Sequence, residues 1–314
     1  MDQKPEIRLE DAGPGSRTIV DETGAVLGGL TLTGERLEFR VEPWARRRGV
    51  ATAAVREFSR SALAGGLERL ELLVPWDVPA AQRVALSAGF TREGVRRGDP
   101  ELLVYSRLSG DPEGPSLRLL PDLPGGELSD GVITLRPLGA QDVDFYTELH
   151  NVPDVIATSV PPEPKQAVEI HRRCVRAEAH WLAGNRADLV IVETASGERA
   201  GEIDLYYQEP PTGQAMIGYS MLPAYRKRGF TSRAAQLLAL WVFAETGIAR
   251  LIAGTLPTNV GSQRVLESAG FTREAYLKSR LPGPAGRRLD DVQFVLLAED
   301  LLAQASGWET DSHA

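Results

Sequence analysis

The chain has 314 residues, enough for two domains of ordinary size, and its 42% hydrophobic and 25% charged residues are the proportions of a globular protein. A net charge of −8 makes the surface a poor electrostatic match for nucleic acid and a better one for a cationic partner. No apolar run approaches the roughly 18 residues of a membrane span. The amino-terminal Met-Asp-Gln-Lys-Pro-Glu-Ile-Arg lacks the apolar core of a secretory signal, and the single Cys174 has no partner for an internal disulfide, so a cytoplasmic protein is expected.

In chain order, residues 17–20 and 26–32 read as a strand pair and 37–41 as a third strand. Ala51, Ala54, Val55, Phe58 and Ala62 mark one face of a helix over 51–63. A strand at 67–74, a helix at 79–87 and strands near 92–97 and 102–108 follow. Residues 109–130 hold four prolines and four glycines without a sustained apolar period and read as a linker. Beyond it come a strand at 132–138, helices at 140–151 and 165–185, and a Val/Ile-rich strand at 188–193. Strands at 202–207 and 215–222 flank the turn Glu209-Pro210-Pro211-Thr212-Gly213, which a continuing helix would not tolerate. Ala234, Leu238, Trp241 and Ala244 mark a helix that Gly247 stops; a strand at 251–256, a helix at 260–268 and strands near 275–281 and 292–297 close the set. The expected fold class is α/β, a mixed sheet with helices on both faces.

Two landmarks occur twice. Residues 82–93 (Gln-Arg-Val-Ala-Leu-Ser-Ala-Gly-Phe-Thr-Arg-Glu) recur at 263–274 with 10 of 12 positions identical. Arg46-Arg47-Arg48-Gly49-Val50-Ala51 is matched by Arg226-Lys227-Arg228-Gly229-Phe230-Thr231, an offset of 180 against 181 for the other pair. That spacing is domain-sized and far longer than a solenoid repeat. The expected organisation is therefore a truncated copy at 1–108, the linker at 109–130, a complete copy at 131–303 and a polar tail at 304–314. The first copy lacks the early helices.

Each Arg-x-x-Gly segment lies between a strand and an amphipathic helix, where main-chain N–H groups lack partners and glycine lets an anion approach closely. Pyrophosphate suits such a place, and so does a merely solvated turn. Taken with Leu135-Arg136-Pro137-Leu138, Ile217-Gly218-Tyr219-Ser220, Asn259-x-x-Ser262 and Ala269-Gly270-Phe271, the order of elements resembles the GNAT superfamily of N-acetyltransferases, and residues 130–301 are similar to its RimJ/RimL type. The likeness of residues 17–108 is partial, because Val78 and Ala81 stand where Asn259 and Ser262 stand in the other copy.

The resemblance implies tandem GNAT-like domains and an acetyl-CoA-dependent transfer of acetyl to a primary amine by direct attack in the carboxyl-terminal domain. It places the pyrophosphate of coenzyme A on the amides of the Arg226-to-Thr231 loop, a main-chain N–H near Met221 and Leu222 on the thioester oxygen, and Asn259 against the pantetheine arm. Ser262 is the implied proton donor to the leaving thiolate; Asn259 would also serve as an ordinary helix cap, and Tyr219 is read as packing. The first loop, Arg46 to Ala51, is a possible second coenzyme A site in a domain expected to be non-catalytic, there to buttress the other or cover its acceptor side. Many relatives carry a glutamate where Met216 stands. The nearest strand carboxylates are Glu202 and Asp204, which share one face by alternation and are either a water-linked base or solvent-facing residues. A weak base favours an α-amine, since neutralising a group of pKa about 8 at pH 7 costs about 1 kcal/mol against nearly 5 for a lysine. By resemblance to the RimJ/RimL type a protein or peptide α-amine is the leading acceptor, with a small-molecule amine the alternative enzyme reading and a non-catalytic acyl-CoA-binding scaffold the alternative without chemistry. His150, His171, His180, His313 and Cys174 form no metal-ligand spacing, and His171 with Cys174 reads as packing.

Overall fold

The computed structural model describes residues 5–301, apart from the Gln208 side chain. These residues form two compact units that part between Arg118 and Leu119. The first contains β1 (Arg8–Asp11), β2 (Ser16–Val20), β3 (Val26–Thr33), β4 (Arg36–Val41), α1 (Val50–Ala64), β5 (Arg69–Pro75), α2 (Pro79–Ser87), β6 (Thr91–Arg96) and β7 (Leu102–Leu108). Its sheet runs β1-β2-β3-β4-β5-β7-β6, and β4 lies parallel to β5 with Arg36 opposite Glu71.

The second unit contains β8 (Leu128–Ser129), β9 (Ile133–Pro137), α3 (Val143–His150), α4 (Pro153–Thr158), α5 (Ala167–Leu182), β10 (Arg186–Glu193), β11 (Arg199–Glu209), β12 (Gln214–Met221), α6 (Phe230–Glu245), β13 (Arg250–Thr255), α7 (Val260–Ser268), β14 (Thr272–Pro282) and β15 (Arg288–Leu297). Its sheet runs β14-β15-β13-β12-β11-β10-β9-β8. Read from the other end, that is the first unit's order with β8 added. Where residues 138–185 carry three helices between β9 and β10, only residues 12–15 join β1 to β2. The first copy has lost the segment that covers one face of the second.

Strand β10 carries an unbroken apolar run from Leu189 to Val192, as suits a strand buried on both faces. Leu189 and Ile191 enter a core with Ala234, Leu238, Trp241 and Val242 of α6, while Val190 enters a second core with Phe145, Leu149, Ile170 and Cys174 of α3 and α5. Helix α5 presents Ile170, Cys174, Ala177 and Trp181 at helical spacing, which is why it lies down on the sheet. Alanines at 234, 235 and 239 let α6 approach its strands closely, and each fully buried leucine such as Leu238 contributes about 2 kcal/mol.

Three short elements, β1, β8 and α4, go beyond the expected set; none is long enough to show a period in sequence. Helix α4 is marked only by Pro153 at its first turn and Asp154 beside it. Residues 109–130, expected as a linker, include Leu120 and Leu123, both buried in the core beneath α6, and Trp181 Nε1 donates to the Pro121 carbonyl at 2.9 Å. The tail expected at 304–314 lies outside the described residues. No described helix is long and apolar enough to cross a membrane.

Candidate active site

The parallel strands β12 and β13 pair at Gln214 with Arg250, Ala215 with Leu251 and Met216 with Ile252, and beyond those residues the ladder stops. From Ile217 onward β12 pairs with β11, and its other edge opens into a split between the two parallel strands. Leu222 donates its N–H to the Ala200 carbonyl at 2.9 Å, continuing the ladder with β11. Because successive N–H groups of a strand point to opposite sides, that of Met221 faces the split. Of the two donors expected there, Leu222 is spent on the sheet and Met221 is the one in position.

The loop between β12 and α6 has an unusual backbone. Lys227 sits at φ 58° and Gly229 at φ 75°, with α6 starting at Phe230. A left-handed lysine is strained, and the same strain recurs at Arg47 (φ 59°) beside Gly49 (φ 74°). The first helical bond of α6 runs from Arg233 N–H to the Gly229 carbonyl at 3.1 Å, so the amides of Phe230, Thr231 and Ser232 lack intrahelical acceptors. Nothing lies within 4 Å of where a Gly229 side chain would start. The loop is thus an open cradle of main-chain donors at the positive end of a 16-residue helix, suited to a pyrophosphate.

Its side chains are committed elsewhere. Arg226 folds back to donate to the Met221 carbonyl, at 3.0 Å from Nε and 2.9 Å from Nη2, and pairs with Asp154. Arg228 pairs with Glu193 and lies over the Phe230 ring, 4.5 Å from its centroid. An anion in this loop would therefore meet the Gly229, Phe230 and Thr231 amides more than the Arg226 and Arg228 charges.

In the first unit Arg46 makes the matching bond to the Val41 carbonyl at 3.2 Å, and Ala53 N–H bonds the Gly49 carbonyl at 3.0 Å. The cradle is not equally open. Pro5 Cδ stands 3.3 Å from where a Gly49 side chain would begin, and Val78 caps α2 without a side-chain bond. Arg47, Arg48 and Gly49 line a cavity of about 1330 Å³ that this prolyl ring borders.

Helix α7 brings two expected residues together. Asn259 is its N-cap, its Oδ1 accepting from Ser262 N–H at 3.1 Å. Ser262 Oγ lies 2.8 Å from the Tyr219 hydroxyl, which also donates to the Ser262 carbonyl at 3.2 Å. Burial pushes the Tyr219 phenol up to about 12, against the lowering effect of the Ser262 bond, so it stays protonated. Tyr219 does more than pack: it joins Ser262 in a two-hydroxyl chain on the wall of the split.

Glu202 and Asp204 do share one face of β11, but they are buried, not solvent-facing. Their cross-strand partners are Ser220 and Gly218. Around them α3 and α5 supply a charged cluster that no sequence period marked. His150 Nε2 lies 3.1 Å from Glu202 Oε1 and 3.3 Å from Lys165 Nζ. Arg173 bridges Asp188 at 2.6 Å and Asp204 at 2.9 Å, and donates to the Tyr206 hydroxyl at 2.8 Å. Tyr146 packs against His150 with ring centroids 4.3 Å apart and planes tilted by 57°.

The environments push the two carboxyls apart. Desolvation raises both, but for Glu202 the hydrogen bond and charge of His150, with Arg173 and Lys165, outweigh it and bring the group down to about 2. Asp204 is raised to about 7, because desolvation and the neighbouring Glu202 and Asp188 charges outweigh Arg173. Lys165 is lowered by burial, partly offset by the acids. Such a divided pair supplies an ionised anchor and a proton acceptor poised near neutrality. Met216, where a glutamate was sought, is cross-strand from Tyr206 on this same face. The base function can move one strand over, to Asp204. Cys174 is raised to about 12 by burial and nearby acids, so its thiol is inert packing beside His171.

Comparisons with known proteins agree with this geometry. The Acetyltransferase (GNAT) domain family matches residues 133–272. The Probable N-acetyltransferase YjcK of Bacillus subtilis is 27% identical over 146 residues, 46% of this chain and 76% of that one. The Uncharacterized N-acetyltransferase p20 of Bacillus licheniformis is 26% identical over 171 residues, 54% of this chain and 94% of that one. A crystal structure described as a probable acetyltransferase has the same fold, with a TM-score of 0.50 and 21% identity over 55% of this chain and 97% of its own. The split strands, the glycine cradle and these matches together make residues 133–272 a member of the GNAT acetyltransferase family, enzymes that carry acetyl from acetyl-CoA to an amine nitrogen.

Proposed function

We propose that the second unit acetylates the α-amine of a peptide or protein, with Asp204 as the proton acceptor and Ser262 as the proton donor. The observation that carries this reading is the position of the Asp204 carboxyl, buried and laid beside the half-buried Gly218 at the edge of the split, where burial and its acidic neighbours raise it to about 7. A base of that strength is matched to an amine of pKa about 8; a lysine side chain would ask for several kcal/mol more. When bound, acetyl-CoA supplies the thioester carbonyl. The Gly229, Phe230 and Thr231 amides would hold its pyrophosphate and Asn259 its arm, and the Met221 N–H faces the split, where it would favour negative charge on the carbonyl oxygen. Glu202, kept ionised by His150 and Lys165, attracts the incoming ammonium. Asp204 takes one proton from it through water, freeing the lone pair that forms the new C–N bond as the C–S bond breaks. Ser262 would protonate the departing sulfur and be reprotonated through Tyr219 by the second amine proton, while the proton on Asp204 returns to solvent. The truncated first unit, with Pro5 against Gly49, takes no part in the chemistry.

The test is release of the coenzyme A thiol with purified protein and a panel of peptides having free or acetylated amino termini, free lysines, aminoglycosides and simple amines. Free α-amines should be the better acceptors. Turnover confined to small amines would replace this reading with the small-molecule one, and acetyl-CoA binding without any turnover would leave a scaffold.

A further inference from the structure

A second buried carboxylate lies on the other side of the split, on the same face of the sheet. Two residues past the last paired residues, Met216 and Ile252, each strand carries a glycine, Gly218 on β12 and Gly254 on β13. Asp204 Oδ2 lies 3.7 Å from where a Gly218 side chain would begin, and Asp291 Oδ1 and Oδ2 lie 2.7 and 2.8 Å from the same point on Gly254. A methyl group at Gly254 would displace that carboxylate. Both aspartates belong to the same face of the sheet, because their neighbours Ile203, Leu205 and Val292 enter the α6 core on the other.

The two share further properties. Asp291 is fully buried, and Asp204 nearly so. Each is bonded by one arginine, Asp204 Oδ2 by Arg173 at 2.9 Å and Asp291 Oδ2 by Arg280 at 3.2 Å, and each leaves Oδ1 buried without a hydrogen-bond partner. An orphaned buried carboxylate oxygen is costly unless something donates to it. Burial raises the Asp291 carboxyl, with the Arg280 charge and the Thr255 N–H opposing, and an arriving cation would favour its ionised form. The strands that carry the two aspartates, β11 and β15, stand three spacings apart, about 14 Å, and each carboxylate leans inward over a glycine of the strand next to it.

We infer that Asp291 is a specificity residue of the acceptor site, binding a second ammonium or guanidinium group of the acceptor while Asp204 serves the reacting amine. The preferred acceptors are therefore dibasic, whether a peptide with a basic side chain next to its α-amine or a small diamine. This inference rests on the proposed use of the split as the acceptor site.

Calorimetry in the presence of coenzyme A tests it. The probes are two pairs matched in length: peptides with lysine or norleucine at the second position, and 1,5-diaminopentane against pentylamine. The dibasic member should bind about tenfold more tightly, the scale of one hydrogen bond to a charged group. Asp291→Asn should erase that preference while leaving coenzyme A affinity unchanged. A purely structural role would weaken both members alike. Equal affinities within both pairs in the unmodified protein would overturn the inference without recourse to any variant, as would a preference that survives Asp291→Asn. A preference in the peptide pair alone or the diamine pair alone identifies the source of the second cation. Tight dibasic binding without thiol release from acetyl-CoA would sink the catalytic reading and leave the binding one standing.

Discussion

At the scale of single residues, the proposed chemistry turns on how two carboxyls two positions apart on one strand are made unlike. Glu202 touches His150 and is held low; Asp204 sits among acids and is raised to about 7. Asp204 accepts a proton only when ionised, so kcat/KM for an α-amine should rise with pH through about 7, a limb belonging to the coupled pair. Asp204→Asn should lower kcat/KM by about tenfold to a hundredfold at pH 8 and remove that limb, leaving only the titration of the amine. A full pH–rate profile of both proteins decides it, and an unaltered limb in the variant would move the base elsewhere. Ser262 is bonded to Tyr219 at 2.8 Å. Ser262→Ala should reduce kcat by up to about a hundredfold with little change in acetyl-CoA affinity, measured by single-turnover kinetics beside equilibrium binding. Equal turnover would take the serine out of the reaction.

At the scale of elements, the strand, loop and helix around Gly229 form one device. The strand ends with an N–H facing the split, the left-handed Lys227 and Gly229 turn the chain, and α6 starts with unpaired amides. Gly229→Glu should abolish coenzyme A binding, because a carboxylate would occupy the open space before the cradle and repel the pyrophosphate. The substitution also forces a left-handed glutamate, at a cost of about 1 kcal/mol. Gly229→Asn, which tolerates that conformation, separates strain from charge: it should keep most of the affinity in a titration where Gly229→Glu shows none. Comparable affinity in wild type and Gly229→Glu would place the cofactor elsewhere.

At the scale of the whole molecule, one architecture occurs twice and only one copy carries every expected part. The first copy keeps the strained arginine, the glycine and the back-bonded Arg46, yet lacks the three helices that bring His150, Lys165 and Arg173 to the second copy's sheet. Coenzyme A should therefore bind with a stoichiometry of one per chain, and Gly49→Glu should change neither stoichiometry nor affinity. Two sites by calorimetry, one of them lost in Gly49→Glu, would show that the first cradle is also in use.

The sequence by itself settled what local rules control. Alternation and helical spacing located the major strands and helices, and the duplicated Arg-x-x-Gly and Ala-Gly-Phe segments revealed the two copies, because period and glycine punctuation are properties of neighbouring residues. Asn259 and Ser262 were legible for the same reason, standing in one helical turn. The tertiary structure alone decided the rest. Glu202 and Asp204 are ambiguous in sequence between solvent and core, and only the helices laid over them, with His150 about 50 residues and Arg173 about 30 residues upstream, bury them and set their protonation apart. Asp291 acquires its place from Gly254, 37 residues earlier in the chain, since a carboxylate can lie over a neighbouring strand only where that strand offers no side chain. Contacts of that range leave no period to read; they exist only once the sheet has brought its strands side by side.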